Sequence, residues 1–163
     1  MPIAPAQLLP HLRLGLGVFV STVLVAAAGA ASGTPLLIAP FVATAALKHA
    51  APDSPIVAPR RVIGGHLIGA LVGVAVGALV GEGTLAIALA AAAAAVLMRG
   101  VDLLHAPAVA TAYIAVEHHG DHWFPVSVVL AGAAVLVAST VLLAPLLHGH
   151  RYPAPQPEPA PGG

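Results

Sequence analysis

Long apolar stretches alternate along this chain with short polar, glycine-rich or proline-rich connections. The stretches at 12–31, 62–80, 84–98 and 123–147 are almost free of charged residues. A helix needs about 20 such residues to cross the hydrocarbon core of a bilayer. The pattern therefore predicts four membrane-spanning helices. A cleaved signal peptide is a less simple alternative for the first stretch, because further spans follow it.

Two further apolar stretches, 34–50 and 101–116, are shorter, and each has a proline near its middle. Proline disrupts a helix interior but suits the first turn of a helix. We therefore expect Pro40 and Pro107 each to begin a half-helix within the bilayer, with free backbone N–H groups at 41–43 and 108–110. The alternative is that both prolines only kink continuous helices and that the nearby threonines bond to their own backbone.

The two broken stretches are copies of one sequence. Residues 36–45 recur at 103–112 with eight of ten positions identical, and the same offset maps the first span onto the fourth and the third onto the sixth. This predicts two repeats, 12–81 and 82–148, each with three segments. Residues 1–11 are expected to be irregular, and 149–163 to form a disordered proline-rich tail.

The distribution of basic residues favours six crossings. If all six segments cross, every Lys and Arg falls on one side, whereas dipping segments would leave Arg60 and Arg61 on the other. Three crossings per repeat then invert the second repeat relative to the first. The predicted fold is an all-α, polytopic transmembrane bundle of six segments in two inverted-topology repeats. Both termini are expected to be cytoplasmic, in a plasma or inner membrane.

The composition argues against several classes of function. The chain is 59% hydrophobic and 7% charged, against about 25% charged in soluble domains. Its net charge is zero, which gives no indication of a nucleic-acid partner, and it has no cysteine for thiol chemistry. Because no catalytic or phosphate-loop motif is present, we expect no enzyme activity and no cofactor.

The duplicated, proline-broken segments are typical of a transporter binding site. Helix N-termini attract anions, so we expect a midplane site for a small inorganic anion. Its candidate residues come from both copies: Pro40, Phe41, Val42, Thr44, His105, Pro107, Val109 and Thr111. His105 replaces Ile38 of the first copy, and a histidine inside a membrane is a functional candidate; the alternative is an interfacial histidine bonded to Asp102. His66 is a weaker candidate for the same site.

Other polar groups have more than one interpretation. Three arginines beside the membrane either guide anions to the site or anchor the topology: Arg60, Arg61 and Arg99. The loop at 117–122 holds five potential metal ligands, but their spacing fits no standard site, and we predict no metal.

Span three carries a glycine at every fourth position, a pattern that lets another helix approach closely. The glycines are Gly65, Gly69, Gly73, Gly77 and Gly81. We expect packing within the monomer, with the alanine run at 90–95 as a suitable opposing surface. A seam between two copies of the chain is the alternative.

Two motifs resemble those of the HPP family of integral membrane proteins. The first comprises Ser54-Pro55, Pro59-Arg60 and Gly64-Gly65-His66. The second is the stretch 105–112, in which Ala106 replaces the first proline of the family motif. The family is usually described with four transmembrane segments, and members from photosynthetic organisms are linked to nitrite transport. The resemblance covers roughly residues 12–148. Because some family members are linked to nitrite transport, it implies nitrite as the anion. We expect an anion transporter or channel; the alternative is a scaffold or accessory subunit that transports nothing.

Overall fold

The computed structural model describes residues 5–149 and 151–153, and it confirms the all-α prediction. Short turns precede two of the helices: a 3-10 turn at Pro55–Val57 and a π-helical turn at Pro125–Leu130. Within the described ranges there are six α-helices: α1 (Pro5–Ser32), α2 (Ala39–Ala50), α3 (Pro59–Val80), α4 (Thr84–Gly100), α5 (Ala106–Glu117) and α6 (Ala131–His148).

Among the residues that the structure describes, three helical stretches are long and apolar enough to cross a membrane: Leu8–Ser32, Pro59–Val80 and Pro125–His148. Helices α4 and α5 are apolar but shorter, and α2 has 12 residues. A 12-residue helix is about 18 Å long, well short of the hydrocarbon core of about 30 Å. The chain is a helical membrane protein, and six full crossings remain a prediction.

Contacts between the helix ends show that consecutive helices alternate in direction. The start of α1 and the ends of α2 and α6 line one cavity, and the ion pairs of Arg60 and Arg61 with Asp102 join the start of α3 to the end of α4. We call this the basic end, because all six Lys and Arg belong to its helix termini and connections. At the opposite end, Glu82 lies 3.9 Å from His119.

Both short helices begin at the predicted break. Helix α2 starts at Ala39 after the extended Ile38, and Pro40 stands within its first two positions. Helix α5 starts at Ala106 after the extended His105, with Pro107 at the equivalent place. The prediction of free N–H groups is wrong in part. The N–H of Phe41 donates to the Ile38 carbonyl over 2.9 Å, and the N–H of Ala108 donates to the His105 carbonyl over 2.9 Å.

The glycine face of α3 packs against α5 within the chain. A Cβ placed on Gly65 would lie 2.9 Å from the His105 Cβ, and one placed on Gly77 would lie 2.6 Å from the His119 Cβ. Gly69 and Gly73 meet the same helix, whereas Gly81 ends α3 with a φ of +90°, and a Cβ placed there would have no neighbour within 4 Å. The packed glycines are therefore not free to form a seam between two copies.

The prediction that the alanine run at 90–95 packs against the glycine face is wrong, because α5 occupies that face. The alanine run of α4 packs in a separate apolar cluster with Ala108, Ala112 and Val116 of α5. The equivalent contact in the second half joins α6 to α2, since Gly132 meets Phe41 and the Leu36 carbonyl. Each long third helix thus packs on the short helix of the other half.

The described residues near both chain termini are more ordered than the sequence predicts. Helix α1 begins at Pro5 rather than at residue 12, because proline is tolerated in a first helical turn. The predicted disorder of the tail falls mainly on residues outside the described part. Tyr152, however, is buried, and its hydroxyl donates to the Val57 carbonyl.

Candidate functional site

Four buried side chains form a continuous hydrogen-bonded group between α2, α3 and α5. Thr44 Oγ1 lies 2.9 Å from His66 Nε2 and 3.0 Å from His105 Nε2. His66 Nδ1 lies 2.7 Å from Thr111 Oγ1. All four residues are fully buried. We call Thr44, His66, His105 and Thr111 the Thr–His cluster; the duplicated threonines face each other across His66.

The local fold explains how these side chains meet. Thr44 and Thr111 each lie in the second turn of a short helix, and His105 caps the start of α5. Gly65 precedes His66 and brings α3 close to α5. On the far side of the cluster, His105 Nδ1 lies 2.9 Å from the Ile56 carbonyl oxygen, in the turn before α3.

Two alternatives from the sequence are excluded by these contacts. Neither threonine of the Thr–His cluster shows a bond to its own backbone; both bond to imidazoles. His105 does not bond to Asp102, because both of its ring nitrogens are engaged elsewhere. The arrangement of two histidines and two threonines is therefore a built polar site inside an apolar bundle.

The other predicted site residues are only partly assembled around the Thr–His cluster. Phe41 is buried and its ring stands edge-on to His66, with 4.9 Å between centroids. Pro40 is buried and Pro107 half-buried at their helix starts. Val42 is 38% exposed on the outer face of α2, and Val109 packs toward the cluster of α4 alanines. The two valines do not join the site.

Sequence reasoning missed Lys48, which is fully buried. Its Nζ donates to the Leu136 carbonyl over 3.0 Å and lies 4.8 Å from the centroid of the Tyr152 ring. Lys48 stands one helical turn beyond Thr44, where Cβ atoms are about 5–6 Å apart. That four-residue spacing was the available signal, because it puts Lys48 on the same face of α2 as Thr44 of the Thr–His cluster.

A second polar group, also missed, lies nearer the basic end between α1, α2 and α6. His49 Nε2 lies 3.0 Å from Ser21 Oγ, and His49 Nδ1 lies 3.2 Å from His148 Nε2. Ser139 Oγ lies 3.2 Å from Ser21 Oγ. Single serines in apolar helices carry no periodic signal, so this group could not be found from the sequence.

The three arginines at the basic end differ in their surroundings. Arg60 and Arg61 both hold the Asp102 carboxylate, at 2.6 and 2.5 Å, while Arg99 is exposed in the last turn of α4. The hydrogen bond from Arg60, followed by the charge of Arg61, keeps the pKa of Asp102 below its ordinary value. This carboxylate offsets part of the positive charge expected to guide anions.

Two cavities open at opposite ends of the bundle. One of about 360 Å³ opens at the basic end and is lined by His11, Arg13, His49 and His148 among others. The other, of about 310 Å³, opens at the opposite end, and Ile38 and Phe124 contribute to its wall. Neither has any member of the Thr–His cluster in its lining, and all four side chains of the cluster are fully buried, so the cluster is closed in this conformation.

The histidine-rich loop at 117–122 is occupied by local contacts. His118 Nδ1 and His119 Nδ1 donate to carbonyls of the α5 end over 3.0 and 2.9 Å. The His118 ring stacks on Phe124 at 4.4 Å between centroids. Within residues 5–149 and 151–153, no three His or carboxylate side chains converge as metal ligands would.

Comparisons with known proteins agree with this architecture. Residues 4–153 match the family described as HPP, transmembrane region. A transmembrane protein of Dictyostelium discoideum is 31% identical over 126 residues, which cover 72% of this chain and 44% of that protein. The chain therefore spans less than half the length of this relative. No solved structure matches.

Proposed function

Because this chain belongs to the HPP family of membrane proteins, we propose that it carries a small inorganic anion across the membrane, with nitrite as the first substrate to test. The Thr–His cluster and Lys48 form the proposed binding site. The family resemblance suggests nitrite, and the chemistry of the site supports a small anion in general.

The observation that carries the proposal is the burial of Lys48 one helical turn from Thr44 of the Thr–His cluster. A buried amine needs compensation, because removing its charge from water is costly. Within the described residues, no carboxylate lies within ion-pairing distance of Lys48. A lysine amine has three N–H donors, and only one is shown bonded, to the Leu136 carbonyl. A bound anion would supply the missing countercharge.

Side chains, rather than backbone amides, are the proposed donors. The N–H groups of Phe41 and Ala108 already bond to the carbonyls of Ile38 and His105, so these two amides are not free for a ligand. The hydroxyls of Thr44 and Thr111 and the imidazoles between them can donate to an anion instead. The positive ends of both short helices still favour negative charge nearby.

Transport requires the Thr–His cluster to open, because its members bond directly to one another and are fully buried. The anion would replace these contacts when the site opens to one cavity and then the other. Phe41 covers His66 on the side that faces away from the basic end. The turn that contains Ile56 covers His105 on the side that faces the basic end. We propose these two elements as the outer and inner barriers.

The inverted repeat and the membrane orientation are part of the same proposal. Gly65 and Gly132, 67 positions apart, each pack on equivalent carbonyls, those of Leu103 and Leu36. This equivalence supports two related halves that exchange roles during transport. The basic end faces the cytoplasm by the positive-inside rule, so Arg60, Arg61 and Arg99 would attract anions at the cytoplasmic mouth.

The proposal is tested by anion flux into proteoliposomes that contain the purified full chain. Nitrite, nitrate and chloride are compared in separate assays, with protein-free liposomes as the background. We expect nitrite flux above background in the wild type, and a reduction of about tenfold or more in Thr111→Val and His105→Ala, since each removes a buried hydrogen bond at the site.

Thr22→Val is the matched control, because the Thr22 hydroxyl is buried without a partner and lies outside the site. Absence of flux for all three anions in folded wild-type protein would favour the scaffold or accessory role. Unchanged flux in both site variants would remove the Thr–His cluster from the transport path.

A further inference from the structure

Only one assignment of donors and acceptors satisfies every hydrogen bond of the neutral Thr–His cluster. The Ile56 carbonyl accepts only, so His105 Nδ1 must carry a hydrogen, and its Nε2 must accept. Thr44 therefore donates to His105 and accepts from His66 Nε2–H. His66 Nδ1 is then bare and accepts from the Thr111 hydroxyl. The result is a continuous chain of donors that points from Thr111 toward the basic end.

We propose that this chain is a proton relay and that the protein moves its anion together with a proton. The inference rests on the proposed function, and it adds the coupling ion and the residues that carry it. A chain of alternating hydroxyls and imidazoles with unbroken bonds of 2.7–3.0 Å is the arrangement that proton transfer requires.

Each step of the relay exchanges one O–H or N–H bond for another. A proton from water or from the conjugate acid of the anion binds His66 Nδ1, while the Thr111 hydroxyl turns to accept from it. His66 Nε2–H passes its proton to Thr44 Oγ1, and the Thr44 hydroxyl proton passes to His105 Nε2. The net change is one added proton, now on the His105 imidazolium, and every other group is neutral again.

Release of the proton is tied to movement at the basic end. If His105 lost its Nδ1 proton in place, its bare nitrogen would face the Ile56 carbonyl, and two acceptors would confront each other. The turn at Pro55–Val57 must therefore shift before release. Tyr152 holds this turn through the Val57 carbonyl, so the C-terminal segment controls the step.

Nearby charged groups explain why proton and anion would travel together. Lys48 lies one helical turn from Thr44 on α2, and its positive charge would oppose a second positive charge in the Thr–His cluster. An anion bound at Lys48 removes that opposition. Tyr152 covers Lys48 with its ring, and Asp102, before His105 in the chain, is already held by Arg60 and Arg61.

The test records nitrite and proton uptake in the same proteoliposomes, with a pH-sensitive dye trapped inside. We expect wild-type vesicles to acidify as nitrite enters, with one proton for each nitrite. Thr44→Val should slow coupled uptake about tenfold, because the hydroxyl that joins the two histidines is lost. Thr44→Ser should restore it, and Thr22→Val should match the wild type.

The outcomes separate this inference from the proposed function. Nitrite uptake without acidification in the wild type would overturn the relay and leave the anion site standing, whereas no uptake at all would overturn both.

A measurement on the unmodified protein guards against misfolded variants. Solid-state NMR of ¹⁵N-histidine in bilayers should show His105 protonated at Nδ1 and His66 at Nε2. Protonation of His105 at Nε2 and of His66 at Nδ1 would contradict the relay.

Discussion

Replacement of Gly73 by alanine tests the packing that holds the two halves together. The new Cβ would lie 2.5 Å from the Ala115 Cβ and closer still to the Ala112 carbonyl oxygen. Favourable carbon–carbon separations are about 3.5–4.0 Å, so α3 and α5 must separate by about 1 Å. Neither obstacle is a flexible side chain that can rotate away. Overpacking of this kind costs about 1–3 kcal/mol.

We expect a loss of about 2 kcal/mol, which lowers the Tm by roughly 4–8 °C in a chain of this size. The assay is heat treatment of the detergent-purified protein followed by size-exclusion chromatography. Gly15→Ala is the matched control: Gly15 lies inside α1, and a Cβ there contacts nothing within 4 Å. It should be neutral or slightly stabilising, since alanine favours helix. Equal melting of Gly73→Ala and the wild type would refute the close α3–α5 contact.

Three further changes probe the site and its inner barrier. Lys48→Met should reduce nitrite flux at least about tenfold, because it removes the only buried countercharge proposed for the anion; nitrite uptake at the wild-type rate would exclude Lys48. Tyr152→Phe keeps the ring beside Lys48 but loses the bond to the Val57 carbonyl. Backbone amides near Val57 should then exchange hydrogen about fivefold faster, and unchanged exchange would show that Tyr152 does not hold the turn. The pKa of Asp102 is lowered in the fold, so its ion pairs stabilise above the ordinary pKa and this contribution fades as the pH falls through the lowered value. Asp102→Asn should therefore melt below the wild type at neutral pH, with the gap closing in acid; a gap that stays constant with pH would contradict the pairing.

The architecture could be predicted from the sequence because its signals are local. Long apolar runs define the long helices, and proline at the start of a short helix follows from backbone chemistry alone. Duplication then indicated that Thr44 and Thr111 should be considered together. The meeting of these threonines with His66 and His105 followed from that expectation, although its individual bonds did not.

The remaining features depend on how helices pack against one another. A glycine face predicts a close neighbour but does not say which helix it is, and α5 rather than α4 occupies it. In the sequence Lys48 contributes only to the prediction of membrane topology, although it shares a helix face with Thr44. The pairing of His49 with Ser21 and His148 joins residues 28 and 99 positions apart, which no local pattern reveals.

The most direct test is nitrite titration of the full chain in bilayers, followed by ¹⁵N NMR of its lysine and histidine side chains. Lys48 is the only lysine in the chain, so its Nζ signal needs no further assignment. We predict that the signals of Lys48, His66 and His105 shift together and saturate with nitrite, while those of the exposed His118 and His122 do not. Shifts confined to the exposed histidines, or none at all, would contradict an anion site formed by Lys48 and the Thr–His cluster.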